Sequence, residues 1–138
     1  MDVKEFNLRA IERFRADREV EGFERGDLLL LTTAGAKSGR PHTTPLARRR
    51  DGDRLLVVAA NPGGRKDPDW YVNILANSRV TVELGDQTYE AVGIPLEGAE
   101  YEETWRRLKD DHPYLGEYEL SAGRTIPVIV LVPLVTAV

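Results

Sequence analysis

Apolar and polar positions alternate along the chain with two periods, and the switches between them outline the elements. Asp2 followed by Glu5 three residues later has the form of a capping box, which predicts a helix beginning near Val3. Phe6, Ala10, Ile11 and Phe14 then share one helical face suited to docking on a core. Residues 27–33, DLLLLTT, form a short continuous apolar run and predict a buried strand. Residues 42–50, HTTPLARRR, predict a second strand, in which Pro45 favours an edge or a bulge. Asp51-Gly52-Asp53 is a hairpin turn signal, and residues 54–60, RLLVVAA, predict a third strand.

Asp67 and Pro68 read as an N-cap and first-turn pair, so a helix is expected from Pro68 to about Asn77. RVTVELG and QTYEAVGIPL predict two strands around Gly85-Asp86. GAEYEETWRRLKDD predicts a helix with Tyr101, Trp105 and Leu108 on one face. HPYLGEYELSAGRT reads as irregular or as a short helix, and IPVIVLVPL as a last buried strand. The fold class that follows is α+β, mainly β with flanking helices. About six strands, mostly joined by hairpin turns, close into a small barrel with helices outside. Strands do not alternate strictly with helices, which disfavours a parallel doubly wound sheet.

The length of 138 residues fits one domain, 1–138, with a real core. A net charge of −4 and a pI near 5.3 argue against a nucleic-acid binder, so any grip on an anion must come from local placement of cations. There are no cysteines, which removes disulfides, thiolate nucleophiles and Cys-based metal sites and fits a cytoplasmic chain. The charged start lacks a secretory apolar stretch, and no apolar run approaches the roughly 20 residues of a membrane span. A membrane-surface role for the first helix is the sharper alternative to core docking, and the mixed Glu and Arg opposite its apolar face weaken it.

Two loops concentrate the candidate chemistry. Of the four lysines, Lys37 lies in the first and Lys66 in the second, with Arg40, His42 and Arg65 around them. Gly35, Gly39, Gly63 and Gly64 let the backbone approach a ligand, and free amides in such turns form anion-binding nests. The helix after Asp67 would aim its positive end at the same region if the loops meet. The plainer reading is two surface turns with solvated charges. Neither loop has the phosphate-loop spacing, and no G-x-G-x-x-G follows a strand.

Other chemistries are weaker. His42 and His112 are the only histidines, with no H-x-x-H spacing, so no metal site is expected. No serine sits in G-x-S-x-G. Asp110 and Asp111 read as solvated surface charge. Trp70, Tyr71, Trp105, Tyr114 and Tyr118 read mostly as packing residues, though a planar cofactor also needs a partly aromatic wall.

Five segments in order, FNLRAIERFRA, LLLLTTAGAKSGRPHTTPL, DGDRLLVVAANPGG, KDPDWYVNILANSRVTVELG and HPYLGEYELSAGRTIPVIVLVP, carry a resemblance over nearly the whole chain. It is similar to the deazaflavin-dependent nitroreductase family of split β-barrel proteins, which bind coenzyme F420. The resemblance implies a split barrel whose groove holds the deazaflavin. It places cofactor contacts at Lys37, Ser38, Gly39, Arg40, His42, Thr44, Pro45 and Leu46, at Ala59, Ala60 and Asn61, and at Lys66, Pro68, Trp70 and Asn77. It implies hydride transfer to an electron-poor small molecule: a quinone, an activated alkene or a nitro compound. A hydroxyl of Tyr118 or Ser38, or a water, would supply the proton, and Tyr114, Leu115 and Tyr118 would line the substrate pocket. The family commonly has Arg where this chain has His42, and its second loop usually holds one more residue before the lysine. Its late Tyr-Pro-x-Tyr-x-x-Tyr segment here begins with His112 and keeps only the last tyrosine, Tyr118, in place. A non-catalytic carrier or sensor that binds F420 or FMN is the alternative, and a homodimer is expected to be possible, since split barrels often pair through a sheet face.

Overall fold

The computed structural model describes residues 3–18, 20, 27–61 and 64–134. Asp2 of the expected capping box and Gly63 of the second loop lie outside them. Among the described residues four helices, α1 (Val3–Arg15), α2 (Asp69–Ala76), α3 (Gly98–Asp111) and α4 (Tyr114–Ala122), surround seven strands. The strands are β1 (Leu28–Ala34), β2 (Pro41–Ala47), β3 (Arg49–Asp51), β4 (Arg54–Val58), β5 (Arg79–Leu84), β6 (Gln87–Pro95) and β7 (Val128–Pro133). They form one antiparallel sheet in the order β2-β1-β5-β6-β7-β4-β3.

The expected count of about six strands becomes seven because the run from His42 to Arg50 is not one strand. It pairs with β1 as far as Ala47, leaves the ladder at Arg48, and pairs with β4 from Arg49. The Arg48 amide donates instead to the Asp27 carbonyl at 2.9 Å. β2 and β3 are the two outer edges of the sheet, so this one residue joins edge to edge and closes the barrel. Pro45 is tolerated because β2 has a partner on one side only.

The continuous apolar runs arise because several strands are covered on both faces. In β1, Leu29 and Leu31 point into the barrel core with Val57, Val80, Val82 and Ile129. Leu28 and Leu30 point outward and pack beneath Ala10 and Phe14 of α1. β4 and β7 repeat the arrangement. Leu55, Val57, Ile129 and Leu131 face inward, while Leu56, Val128 and Val130 pack under Tyr101, Trp105 and Leu108 of α3 and Leu115 of α4. The predicted α3 face is thus confirmed, and HPYLGEYELSAGRT resolves as helix α4 ending at Gly123, whose φ of 61° is a left-handed C-terminal cap.

Polar contacts fix the helices to the barrel. The Arg15 guanidinium grips the Glu83 carboxylate with two bonds of 3.0 and 2.9 Å, tying α1 to β5. Glu119 of α4 accepts Trp105 Nε1 at 2.6 Å and Lys109 Nζ at 3.3 Å from α3. The Tyr101 hydroxyl donates to the Ile126 carbonyl at 2.6 Å, and burial, with Glu119 and Glu102 adding to it, pushes this phenol up to about 12. Asp67 is not the cap of α2. Pro68 occupies that position with no side-chain cap bond, and Asp67 pairs with Arg124 at 2.8 Å. Among the described residues, no helix is long and apolar enough to cross a membrane.

Leu31 is fully buried at the centre of the barrel, so Leu31→Ala should cost about 2–5 kcal/mol of stability. Leu120, 84% exposed on α4, should lose no more than about 0.5 kcal/mol on the same change. Urea denaturation of both variants checks the pair.

Candidate functional site

From Arg48 the two strand runs diverge. β2 is drawn away to pair with β1, while the end of β4 stays with β7, so β2 and the residues after Leu56 separate like the arms of a V. A groove of about 1030 Å³ fills the split. Thr44, Pro45, Leu46 and Ala47 line one arm, and Val58, Ala60 and Asn61 the other. α1 contributes Phe6, Asn7 and Ala10, and α4 contributes Tyr114, Leu115 and Tyr118. Lys66, Pro68, Asp69 and Trp70 line it where α2 begins, and Arg49 lines it at the closed end, next to the break at Arg48.

The groove therefore gathers Thr44, Pro45, Leu46, Ala60, Asn61, Lys66, Pro68, Trp70, Tyr114, Leu115 and Tyr118 of the expected residues. Others fall elsewhere. Ala59 is fully buried in the barrel core, with only its carbonyl turned to Arg124 at 3.2 Å. Asn77 caps the far end of α2, about 12 Å along the helix from its start, and its side chain accepts the Arg79 amide at 3.2 Å. Lys37, Ser38, Gly39, Arg40 and His42 are exposed around the β1–β2 turn. His42 is two strand residues beyond Thr44, about 7 Å past the groove's lining.

That turn is nonetheless fixed. The Gly35 amide donates to the Arg40 carbonyl at 2.8 Å, the Gly39 amide to the Gly35 carbonyl at 2.9 Å, and the Arg40 amide to Ser38 Oγ at 3.1 Å. A Cβ on Gly35 would lie 2.7 Å from Ser38 Oγ and 3.1 Å from the His42 ring, so a larger residue there would push both side chains aside. Gly39 holds a φ of 72°, in the left-handed region.

Asn73, which lies in the KDPDWYVNILAN segment but is not among the expected contacts, joins this turn to the rest of the site. Its Oδ1 accepts the Ala36 amide at 2.9 Å, and its Nδ2 donates to the buried Thr33 hydroxyl at 3.0 Å. Asn73 lies one turn along α2 from Trp70, so the helix that begins at the groove also holds the first basic turn. The two loops meet through α2. A signal was present: Asn73 shares the buried face of Trp70 and Ile74, and a polar residue on such a face needs partners.

The second loop has its own braces. Asn61 adopts a φ of 47°, and its side chain donates to the Lys66 carbonyl at 3.0 Å. Arg124 donates to the carbonyls of Gly64 at 2.9 Å and Ala60 at 3.1 Å, besides its pair with Asp67. Nothing in its spacing marked Arg124 in advance.

Charge is distributed unevenly. Arg15, Arg54, Arg79, Arg107, Lys109 and Arg124 are all paired with carboxylates. Lys37, Arg40, Arg65 and Lys66 form no ion pair among the described residues. Of these, Lys66 lines the mostly apolar groove, beside the carboxylates of Asp67 and Asp69.

The split is a mostly apolar groove with Lys66 in its wall, and the exposed Lys37–Arg40 turn lies beyond Thr44 outside that wall. The chain belongs to the F420H(2)-dependent quinone reductase family, whose model matches residues 5–133. It is 35% identical over 106 residues to an F420H(2)-dependent quinone reductase of Mycobacterium tuberculosis, covering 75% of this chain and 71% of that protein. A solved F420-H2 dependent reductase matches 76% of this chain and 93% of its own, at 36% identity and a TM-score of 0.67. A further solved chain, described as a domain-swapped dimer, has the same identity and TM-score and is covered to 79%. The family is thus one of F420H2-dependent oxidoreductases with coenzyme F420 as cofactor, named for quinones rather than for nitro compounds.

Asn73→Ala should destabilise the fold by about 1–3 kcal/mol, because it strands the buried Thr33 hydroxyl and the Ala36 amide. Hydrogen exchange at the Ala36 amide should accelerate in the variant. An unchanged exchange rate would show that the turn is held by its own bonds alone.

Proposed function

We propose that the chain binds reduced F420 along the split, with the deazaflavin between the arms and its acidic tail toward Lys66 and the Lys37–Arg40 turn, and reduces a quinone at the end bounded by α4. The observation that carries this reading is a mostly apolar groove that holds Lys66, which forms no ion pair among the described residues. The donor set fits the cofactor. Lys37, Arg40 and Lys66 supply charge for a phosphate-bearing tail. The Lys37 and Ser38 amides of the turn have no acceptor among the described residues, which leaves them free for a phosphate oxygen. Thr44, Pro45, Leu46, Ala60 and Trp70 supply the walls for a planar ring.

When bound, reduced F420 supplies the hydride. The chain's own residues orient the reactants and exclude water. Tyr118 lines the groove and is the proton donor. Ser38 does not suit that task, because its hydroxyl lies in the exposed turn, outside the groove's lining. Tyr114 and Leu115 bound the acceptor, and Phe6 and Asn7 of α1 face it from the other side of the split.

Titration of F420 against purified protein, followed by cofactor fluorescence, should show saturable binding in the micromolar range, with FMN binding more weakly. Oxidation of reduced F420 by a panel of quinones, enones and nitro compounds should be fastest with quinones. No change of fluorescence would end the reading. Lys37→Ala should weaken F420 binding by about 1–3 kcal/mol and leave the ligand-free thermal midpoint unchanged. Equal affinity would return the turn to a plain hairpin.

A further inference from the structure

At the closed end of the groove, Arg49 departs from the pattern of the paired arginines. It stands opposite Leu56 across the β3–β4 ladder, and directly opposed residues share a face. Leu56 faces the layer under α3 and α4, so Arg49 is directed toward α4. There its Nη2 donates to the Tyr114 hydroxyl, and its Nη1 lies 3.3 and 3.4 Å from the two ring nitrogens of His112. Tyr114 in turn packs edge-on against Tyr118, with ring centroids 5.4 Å apart.

The nearby carboxylate that would neutralise Arg49 is already engaged. Asp51, two residues on, accepts from both Arg54 and Arg107. Arg49 forms no ion pair among the described residues. Its Nε is buried with no hydrogen-bond partner, the one buried side-chain nitrogen or oxygen so placed among them. Its neighbours are uncharged in kind. Burial first, then the Arg49 charge, holds the His112 imidazole below its ordinary value, with Asp111 opposing, so near neutral pH the ring is neutral. A guanidinium that lies over the Tyr114 ring at 5.6 Å therefore lines the groove, and among the described residues no carboxylate pairs with its charge.

We propose that Arg49 is an oxygen-binding subsite for the electron acceptor. It takes the carbonyl or phenolate oxygen of a planar quinone-type molecule and favours acceptors that carry or develop negative charge on that oxygen. The seven residues of β2 put about 20 Å between this subsite and the start of that strand at the Lys37–Arg40 turn, so one end of the split serves the cofactor tail and the other the acceptor. Tyr114 accepts from Arg49, which leaves its own hydrogen free to donate to the same oxygen. The assignment rests on the proposed quinone reduction only in naming the acceptor. The anion preference belongs to Arg49 itself.

The test uses 2-hydroxy-1,4-naphthoquinone, an anion at neutral pH, and 1,4-naphthoquinone, its uncharged counterpart. Both are titrated by calorimetry into the whole protein, with and without oxidised F420, so no turnover occurs. Wild type should prefer the anion. Arg49→Met should weaken the anion by about 10- to 100-fold, the range for a charge-assisted hydrogen bond, and the neutral quinone much less. Arg49→Lys should fall between, because it keeps the charge and loses the fork. F420 affinity should be unchanged in both. Unchanged discrimination in Arg49→Met, or no preference in wild type, overturns the proposal. If Arg49→Met does not fold, Arg49→Gln carries the same comparison, and unchanged discrimination there overturns the proposal equally. Arg49-dependent binding of the anion by a protein that does not take F420 would support the subsite and remove the cofactor reading.

Discussion

At Arg48 the chain leaves the ladder of one edge strand and enters the ladder of the other, with its amide turned to Asp27. A sheet that continued from Ala47 into Arg49 without this break would extend β2 along a single partner and stay open. With the break, the last strand of the order lies one residue from the first, and the barrel closes covalently rather than by a ladder. The same break makes the site. Two edge runs that start together and pair with different neighbours must separate, and the space between them cannot be filled by hydrogen bonding. α1 and α4 cover the flanks of that space, and α2 begins at its mouth.

This geometry explains which parts of the fold were legible in the sequence. Strands covered on both faces are written as uninterrupted apolar runs, and DLLLLTT, RLLVVAA and IPVIVLVPL announced themselves. α3 carries its buried residues at helical spacing and ends where the pattern ends. The break at Arg48 left no comparable mark. Three arginines in a row read as a polar strand end, and what divides β2 from β3 is competition between β1 and β4 for partners, a tertiary effect. Asp67 shows the opposite error. Its local pattern suits a cap, but Arg124, 57 residues away, engages its carboxylate.

The site was legible to the extent that its chemistry is local. The glycines and lysines of the two loops could be read from spacing, and the resemblance supplied the ligand proposed for them. Asn73 stands within the KDPDWYVNILAN segment, but its role in tying the loops together could not be read there, because it acts through two bonds to segments 37 and 40 residues away. The overall charge also misleads. A chain of net charge −4 has no general attraction for an anion, yet most of its described carboxylate partners are spent on arginines away from the groove. Local pairing, not net charge, decides where positive potential survives.

The run Arg48-Arg49-Arg50 shows how far register governs chemistry. In sequence the three are equivalent. Arg48 stands at the break, where its backbone does the work. Arg50 pairs opposite Leu55, on the inward face of β4, and is exposed at the barrel's rim, where its charge reaches Tyr89. Arg49 pairs opposite Leu56 and so faces α4, where His112 and Tyr114 receive two of its nitrogens and no carboxylate answers its charge. A shift of one residue in the β3–β4 pairing would exchange the fates of Arg49 and Arg50, because neighbouring residues on a strand point to opposite faces. The position of the break is therefore not only what closes the barrel. It also chooses which arginine stands in the split.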